Sequence, residues 1–366
     1  MKHRIEEIFS TIPDPRVVGR CSHKLTDILM IALCTLIADG EDFEDMVVFC
    51  EEKEELLRSF LELPNGIPSH DTFNRVFQVI DYQCLGACLG QYGKELLSIV
   101  AEKQICIDGK KLRGVTPTKR GNHGLYILNA WVSENRLCIG QSKVEDKSNE
   151  ITAIPVLINQ LDLKDSTVSI DAIGCQKDIA TAIRGKEAHY FLSVKKNQPD
   201  LFEEVSEAFK YNKVNQETAP WEYDHGRFEQ RQCALLDARE VLGPNLLSQW
   251  TDLETLVKVV AQRTIKGVTK EEIRYYISSD KSNKPLYFNS LAIGHWSIEN
   301  HLHWHLDVTF NEDACRARTN NAPLNLSTMR KLALHLIGQM TDKKSFKKRR
   351  YMAALNDDYL FKVLGF

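Results

Sequence analysis

The sequence lacks the long apolar segment that a membrane protein requires. Its longest largely apolar run, Ile28 to Ala38, spans 11 residues, whereas a helix that crosses a bilayer needs about 20. The first ten residues, MKHRIEEIFS, carry acids where a secretory signal needs an apolar core. We therefore expect a cytoplasmic protein that makes no membrane contact.

Cysteine motifs and a strong overall charge are also missing. The ten cysteines include no CxxC pair, so the pattern indicates reduced, mostly buried thiols rather than a metal knuckle. The formal net charge is only −3, with 43% hydrophobic and 27% charged residues, which excludes disordered and fibrous classes. Charge is nevertheless uneven, because Lys343 to Arg350 carries six bases in eight positions. Such a stretch is typical either of a phosphate-binding tail or of a solvated helix end.

The first hundred residues are predicted to be helical. Asp27 to Ala38 reads as a buried helix and Asp42 to Leu63 as a long amphipathic one, and the segment from Pro64 to Ser69 reads as a turn. A short amphipathic helix follows, with Phe73 among its apolar positions and His70 on its polar face. This helix, turn and helix predict either a DNA-reading element or a helical hairpin that supports a neighbouring domain.

From Gln104 onward, strands alternate with helices. The order of three strands, a helix, a strand, a helix and a strand predicts an α/β sheet of mixed direction. Residues 201–289 break this alternation and predict an antiparallel β-insertion within the same unit. A helix from about Leu291 to Leu306 and another from Leu324 to Met340 follow.

Two aspartates occupy matching places at predicted strand ends. Asp108 in CIDGK and Asp171 in SIDAIG each follow a short β-branched strand and precede a glycine. Each alone has an alternative interpretation as a cap of the next turn, but together they favour one crevice at the strand ends. Metal-assisted phosphoryl chemistry needs a further acid, and Glu299 in HWSIENHLHW is the best candidate.

Helical spacing places His295, Glu299 and His303 on one face of the predicted helix. These residues have a competing interpretation as a zinc site, although they lack the HExxH order. Imidazoles beside carboxylates also orient metal ligands or contact phosphate. Trp296 and Trp304 are interpreted as core packing, with base stacking as the alternative, and Glu312 and Asp313 as caps or partners of Arg316.

Several long blocks of the sequence resemble one family. They include LTDILMIALCTLIADGEDFEDM, LPNGIPSHDTFNRVF, IDGKKLRG, SIDAIGCQKDIA and HWSIENHLHWHLDVTFNEDACR. They look like the H-repeat-associated proteins, bacterial insertion-sequence transposases of the DDE type. The resemblance covers Ile8 to about Gln339 and implies that Asp108, Asp171 and Glu299 form the DDE triad.

The resemblance also implies a fold and a mechanism. It implies an α/β, ribonuclease-H-like catalytic domain over residues 101–342 with the β-insertion at about 201–289, preceded by an all-α domain over residues 1–100 and followed by a basic tail, 343–366. Two Mg²⁺ (or Mn²⁺) ions on the triad would support strand cleavage and strand transfer. The implied partner is double-stranded DNA, both element ends and target, with a dimer in the DNA complex.

Bases near the predicted strand ends are candidate phosphate contacts, each with a plain alternative as a solvated side chain. The insertion adds a strand face that suits either a duplex or surface salt bridges. The complete set of candidates is Lys110, Lys111, Arg113, Lys147, Lys195, Lys196, Arg227, Arg231, His295, Lys347, Lys348, Arg349 and Arg350.

One departure from related transposases surrounds Glu299. Those proteins carry tyrosine, arginine and lysine where this chain has Ala292, His295 and Leu306. His295 can replace the arginine as a phosphate contact, but Leu306 cannot replace a cation. The alternatives to an active transposase are therefore a retired relative that only binds DNA or a regulatory partner, and a general metal-dependent nuclease.

Overall fold

Helices pack on and beside one large β-sheet. The computed structural model describes residues 2–17, 19–97, 103–115, 124–144, 149–224 and 226–366. Within these residues, no helix combines the length and the apolar character that a membrane crossing demands. The helices that precede the sheet are α1 (Lys2–Ser10), α2 (Leu25–Ile37), α3 (Phe43–Glu52), α4 (Glu54–Arg58), α5 (His70–Val79) and α6 (Tyr82–Leu97).

The N-terminal helices confirm the predicted helical class and correct one boundary. Ser69 caps α5, because its side chain accepts a hydrogen bond from the backbone N–H of Thr72, and Phe73 is buried as its position predicts. The long helix predicted from Asp42 to Leu63 is wrong. The chain leaves the helical conformation at Lys53, whose ammonium group pairs with Asp357 at 2.7 Å.

The sheet contains ten strands of mixed direction, which confirms the α/β prediction. Its strand order is β3-β2-β1-β4-β5-β10-β9-β8-β6, and β7 pairs with β8. Strand β4 runs parallel to β1 and to β5, whereas β2 runs antiparallel to β1 and to β3. The strands and helices of this half are β1 (Gln104–Leu112), β2 (Leu125–Val132), β3 (Leu137–Val144), α7 (Glu150–Gln160), β4 (Thr167–Ile170), α8 (Lys177–Arg184) and β5 (His189–Val194).

The predicted insertion continues the same sheet. Its last strand, β10, pairs antiparallel with β5, so the insertion begins where the first half of the sheet ends. Two of its strands, Glu222–Asp224 and Arg227–Asp237, are joined by a turn at Gly226, which has a positive φ. The elements of the insertion are α9 (Pro199–Tyr211), β6 (Asn215–Thr218), β7 (Glu222–Asp224), β8 (Arg227–Asp237), α10 (Ala238–Val241), α11 (Pro244–Leu247), β9 (Thr255–Ile265) and β10 (Val268–Ser278).

The segment after the insertion is wound more loosely than predicted. Helix α12 (Pro285–His295) is followed by two π-helical stretches, Ile298–His303 and His305–Thr309, instead of one α-helix to Leu306. Buried residues occur here at every fourth position, a spacing that fits a helix with more than 3.6 residues per turn. These residues, all fully buried, are Ile298, Leu302, Leu306 and Phe310.

The last three helices share a core with the first ones. Helices α13 (Ala322–Gly338), α14 (Phe346–Leu355) and α15 (Asp357–Leu364) contribute apolar side chains to the cluster that contains α2. A second apolar cluster lies between the sheet and α7 and α8. The strand ends of β1 and β4 therefore lie between two well-packed layers.

Candidate active site at the edge of β1 and β4

Asp108 and Asp171 lie side by side at the point where two neighbouring strands stop pairing. Ile107 of β1 pairs with Ile170 of β4 in parallel register, so the next residue of each chain segment is an aspartate at the same level of the sheet. Asp108 does not end its strand as predicted, because β1 continues to Leu112 through its pairing with β2. Only the pairing with β4 ends here, and the sheet opens at that point.

Glu299 approaches from the first π-helical stretch, and the preceding helix is fixed against the strands. Gln104 of β1 donates hydrogen bonds from Nε2 to the carbonyl oxygen of Leu291 and to Ser169 Oγ, both at 2.8 Å. The Ser133 hydroxyl donates to the carbonyl oxygen of Gly294 at 3.1 Å. A Cβ atom at Gly294 would collide with the amide end of the Gln104 side chain, so any larger residue there would displace the group that makes these hydrogen bonds.

The acids at this edge repel one another. Burial raises the pKa of Asp108 to about 7, and the negative charges of Asp171, Glu299 and Glu150 add to the effect against the stabilising N–H of Gly109. Among the described residues, no lysine or arginine pairs with any of these four acids. Carboxylates held together without a neutralising side chain are typical of a site that binds a cation.

The two histidines predicted to share a face with Glu299 both contact the strand edge. His303 Nδ1 lies 3.5 Å from Asp108 Oδ2, and His295 Nδ1 lies 3.1 Å from Ser169 Oγ. Burial lowers the pKa of His303 to about 3 and that of His295 to about 4. Both imidazoles are therefore neutral at pH 7 and leave the acidic charge uncompensated.

Glu150 is a member of this edge that the sequence did not single out. Its carboxylate lies against Gly109, where a Cβ atom would be 2.5 Å from Glu150 Oε1. Burial and then the charge of Asp171 raise the pKa of Glu150. The available signal was its place at the start of a helix directly after β3, but only the tertiary packing brings that helix to Asp108.

The donor set at this edge suits a hard divalent cation. Carboxylate oxygens are the ligands that Mg²⁺ and Mn²⁺ prefer, and the absence of a Cβ at Gly109 leaves room for a further carboxylate. In the described part of the chain, no three His, Cys, Asp or Glu side chains converge as a ready-made metal-binding group. This holds equally for the three residues of the zinc alternative.

The bases that follow Asp108 differ in accessibility. Lys110 was expected to contact phosphate, but it is buried and its ammonium group lies 2.6 Å from Asp307 and 3.1 Å from Glu312. Lys111 is partly exposed above the ring of Tyr126, and the Arg113 side chain is well exposed. Lys110 is therefore occupied by internal partners, whereas the next two bases remain accessible.

The remaining candidates near this end of the sheet are two lysines and one residue without a described position. Lys195 and Lys196 are both exposed directly after β5. Lys147 lies outside the described residues. The structure thus leaves exposed bases beside β1 and beside β5.

Three arginines surround one buried glutamate on the insertion. Arg231 bonds Glu229 directly, and Arg263 and Arg227 lie 3.5 Å and 3.7 Å from the same carboxylate. The salt-bridged strand face that was one interpretation is present. Further acids lie on the paired strands, because Glu222 and Asp224 of β7 stand opposite Glu229 and Arg227, so the arginines of this face are largely matched by acids.

The C-terminal basic segment is a folded helix, which corrects its description as a tail. Arg349 and Arg350 are buried. Arg349 pairs with Asp342 at 2.9 Å, and Arg350 donates to the carbonyl oxygens of Leu36 and Gly40 at 2.9 Å. These two arginines hold the helix in place and are unavailable to DNA, whereas Lys347 and Lys348 are exposed.

The expectation that Trp296 and Trp304 are core residues is wrong. Trp296 and Trp304 are 42% and 52% exposed, and the guanidinium group of Arg274 lies over the Trp296 ring at 4.5 Å. Glu312 and Asp313, expected to be caps or partners of Arg316, are the acids in the first turn of a short 3₁₀-helix, Glu312–Ala314. Among the described residues, both acids pair with Lys110, at 3.1 and 3.7 Å, and not with Arg316.

Comparisons with known proteins match this chain along almost its entire length. A family model described as DDE_Tnp_1-associated matches residues 6–93, and one described as Transposase DDE domain matches residues 101–336. YncI of Escherichia coli O157:H7, which bears a transposase name, is 37% identical over 370 residues, covering 98% of this chain and 94% of that protein.

Relatives in Escherichia coli strain K12 extend the comparison. YhhI, which its name describes as H repeat-associated, is 36% identical over 374 residues, covering 99% of this chain and 98% of that protein. YbfQ, named an inactive transposase, is 38% identical over 73 residues, or 20% of this chain. The chain belongs to the H repeat-associated family of transposases and carries a transposase DDE domain.

Proposed function

We propose that this protein cleaves DNA at the ends of an insertion sequence and transfers the freed strand to target DNA. The observation that carries the proposal is the group of acids at the edge of β1 and β4. Asp108 follows the last residue of β1 that pairs with β4, Asp171 follows the last residue of β4, and the charges of Asp171 and Glu299 raise the pKa of Asp108.

The strand order supports a ribonuclease-H-like catalytic fold. Its first half has the order β3-β2-β1-β4-β5, with β2 antiparallel to its neighbours and β4 parallel to its own. Helices α7 and α8 cover one face, and α12 lies on the other through its bonds to Gln104. In such sheets, ligands bind beyond the carboxyl ends of the parallel strands.

Asp108, Asp171 and Glu299 would together hold two Mg²⁺ or Mn²⁺ ions. When bound, such ions activate water and stabilise charge on a transferring phosphoryl group. His303 orients Asp108 through its Nδ1 contact. His295 is held by Ser169. Because its imidazole is neutral, it can donate a hydrogen bond to a phosphate oxygen without forming an ion pair with the acids that would hold the metal ions.

Exposed bases would position the DNA by contacting its phosphates. The set is smaller than the sequence suggested, because Lys110, Arg349 and Arg350 are engaged inside the protein. The DNA partner follows from the transposase family, and we propose that a dimer forms in the DNA complex. The accessible candidates are Lys111, Arg113, Lys195, Lys196, Arg227, Arg231, Lys347 and Lys348.

A second candidate function is sequence-selective DNA binding without catalysis. Leu306, which stands where related transposases carry a lysine, is fully buried and offers nothing to DNA. Calorimetry that finds no Mn²⁺ or Mg²⁺ binding, together with retention of element-end DNA, supports this second function. Cleavage that shows no preference for element ends instead supports a general nuclease.

Triad substitutions test the proposed function directly. Asp108→Asn, Asp171→Asn and Glu299→Gln should each reduce nicking of element ends by roughly a thousandfold, because each removes a carboxylate that would hold the cations on which stabilisation of the reacting phosphate depends. DNA binding, measured by fluorescence anisotropy, should stay within about twofold of the parent. Glu203→Gln, an exposed glutamate on α9, is the matched control, and parent-like nicking by a triad variant contradicts the assignment.

A further inference from the structure

Glu150 lies at the strand edge but occupies none of the three triad positions. It is the first residue of α7, and the helix start is fixed by a capping box. Asn149 Oδ1 accepts a hydrogen bond from the Thr152 N–H at 3.2 Å, and Thr152 Oγ1 accepts one from the Asn149 N–H at 3.4 Å. This reciprocal pair holds the first turn, and with it Glu150, in one place.

Gly109 provides the space that Glu150 occupies. A Cβ atom at position 109 would lie 2.5 Å from Glu150 Oε1 and 2.8 Å from its carboxyl carbon, closer than nonbonded atoms approach. Any other residue at this position would therefore displace the carboxylate. Because Gly109 immediately follows Asp108, the Glu150 carboxylate lies against β1 one residue along the strand from that aspartate.

The four acids reach this edge from both faces of the sheet. Successive residues of a strand point to opposite faces. Asp108 points toward the face of the π-helical stretch, as its contact with His303 shows, and position 109 faces Glu150 of α7. Glu150 also acts electrostatically on Asp108 and Asp171, and among the described residues no lysine or arginine pairs with it.

We propose that Glu150 is a fourth metal-binding carboxylate, which approaches the ions from the face opposite to Glu299. This inference rests on the proposed function, since it assigns a further ligand to the same site. Each Mg²⁺ ion takes about six oxygen ligands, so a pair of ions shared among three carboxylates has open positions. Glu150 supplies oxygens from the side of the sheet that the triad leaves uncovered.

Metal binding by the full-length protein tests the proposal without any catalytic assay. Titration calorimetry with Mn²⁺ should show about tenfold weaker binding for Glu150→Gln, within the range typical of groups that support a metal site. Gly109→Ala keeps every acid but pushes Glu150 aside, so it should weaken binding in the same direction. Glu44→Gln, which removes an exposed glutamate from the first turn of α3, is the matched control and should bind like the parent.

The outcomes separate this inference from the proposed function. Parent-like Mn²⁺ affinity in Glu150→Gln, with binding lost in Asp108→Asn, overturns the role of Glu150 and leaves the triad intact. Parent-like affinity in Asp108→Asn, or no Mn²⁺ binding by the parent, overturns the proposed function itself. A shorter acid, Glu150→Asp, should bind between the parent and Glu150→Gln, because it keeps the charge but loses reach.

Discussion

Asp108 and Lys110 lie two residues apart on one strand, and both have acidic neighbours, yet the charge balance around them is opposite. Asp108 adds a negative charge to a group of acids, and the imidazole beside it, His303, is neutral. Lys110 is surrounded by acids that it neutralises, with Asp307 at 2.6 Å and Glu312 at 3.1 Å. The first group concentrates charge of one sign, and the second balances it.

The pKa values record this contrast. Burial raises the pKa of Asp108 to about 7, and its acidic neighbours act in the same direction. Burial would also raise the pKa of Glu312, but the positive charges of Lys110, Arg330 and Lys331 outweigh it and lower the pKa. Removing one member of a balanced group leaves a buried charge unpaired, whereas an unbalanced group lowers stability until an ion is bound.

The largest effect should come from breaking the balanced group. Lys110→Met should lower the free energy of unfolding by about 3 to 5 kcal/mol, because Glu312 would remain buried without its closest cation. Urea denaturation measures the change. Lys111→Met, on the neighbouring and partly exposed residue, is the control and should change stability by less than about 1 kcal/mol. A small effect for Lys110→Met would mean that Arg330 alone can balance Glu312.

Removing the charge of Asp108 should raise the free energy of unfolding, whereas Lys110→Met should lower it. In the metal-free parent, the raised pKa of Asp108 means that the unfolded chain loses a proton between about pH 4 and 7 that the folded chain keeps. Stability therefore falls as pH rises through this window. Asp108→Asn escapes this fall, so it should be more stable than the parent by about 2 kcal/mol at pH 8 and nearly equal at pH 4.

The measurement is urea denaturation at both pH values in a chelating buffer. Asp162→Asn, an exposed aspartate, serves as the control and should show no pH-dependent gain. Adding Mg²⁺ should reverse the ranking, because the ion stabilises only the parent. A variant that is less stable than the parent at pH 8 without metal contradicts an unbalanced acidic site.

The smallest expected effect concerns exposed bases, and helix α14 carries both exposed and buried ones. Lys347 and Lys348 are exposed, whereas Arg349 and Arg350 are buried. Replacing both lysines with alanine should flatten the slope of log affinity for DNA against log salt by about two, at roughly 0.9 per phosphate contact. Stability should change by less than about 0.5 kcal/mol.

A double replacement of two exposed lysines elsewhere, Lys281→Ala with Lys284→Ala, removes the same charge and should leave that slope unchanged. Filter binding across a salt series measures both slopes. An unchanged slope in the α14 variant would show that this helix end does not meet DNA.

Local patterns were sufficient for most of the elements and for the pairing of the two aspartates. The turn that ends at Ser69 was identifiable, and the alternation of apolar residues before Asp108 and Asp171 gave two strands that pair in register. These features depend on neighbours in the sequence. The pair of Lys110 and Asp307 depends on residues 197 positions apart, and no local pattern reports it.

The same reasoning explains the errors in the basic segment and around Glu299. A run of six bases looks solvated, but Arg350 spans 314 positions to reach Leu36. The sequence did not predict Glu150 as a site residue, because its position depends on the absence of a Cβ atom at Gly109 and on the packing of α7. The π-helical stretch was misread because four-residue apolar spacing is compatible with an α-helix over two turns and departs from it only over four.

The continuity of the sheet from β1 into the insertion sets a length scale for any bound duplex. Five strand spacings separate β1 from β8, or about 24 Å at roughly 4.8 Å each. Because phosphates along one strand of DNA are spaced about 3.4 Å apart, this distance corresponds to about seven base pairs. In the proposed complex, a duplex held both at Asp108 and at the arginines of β8 would span at least that distance, so the sheet would set the shortest element-end DNA that reaches both places.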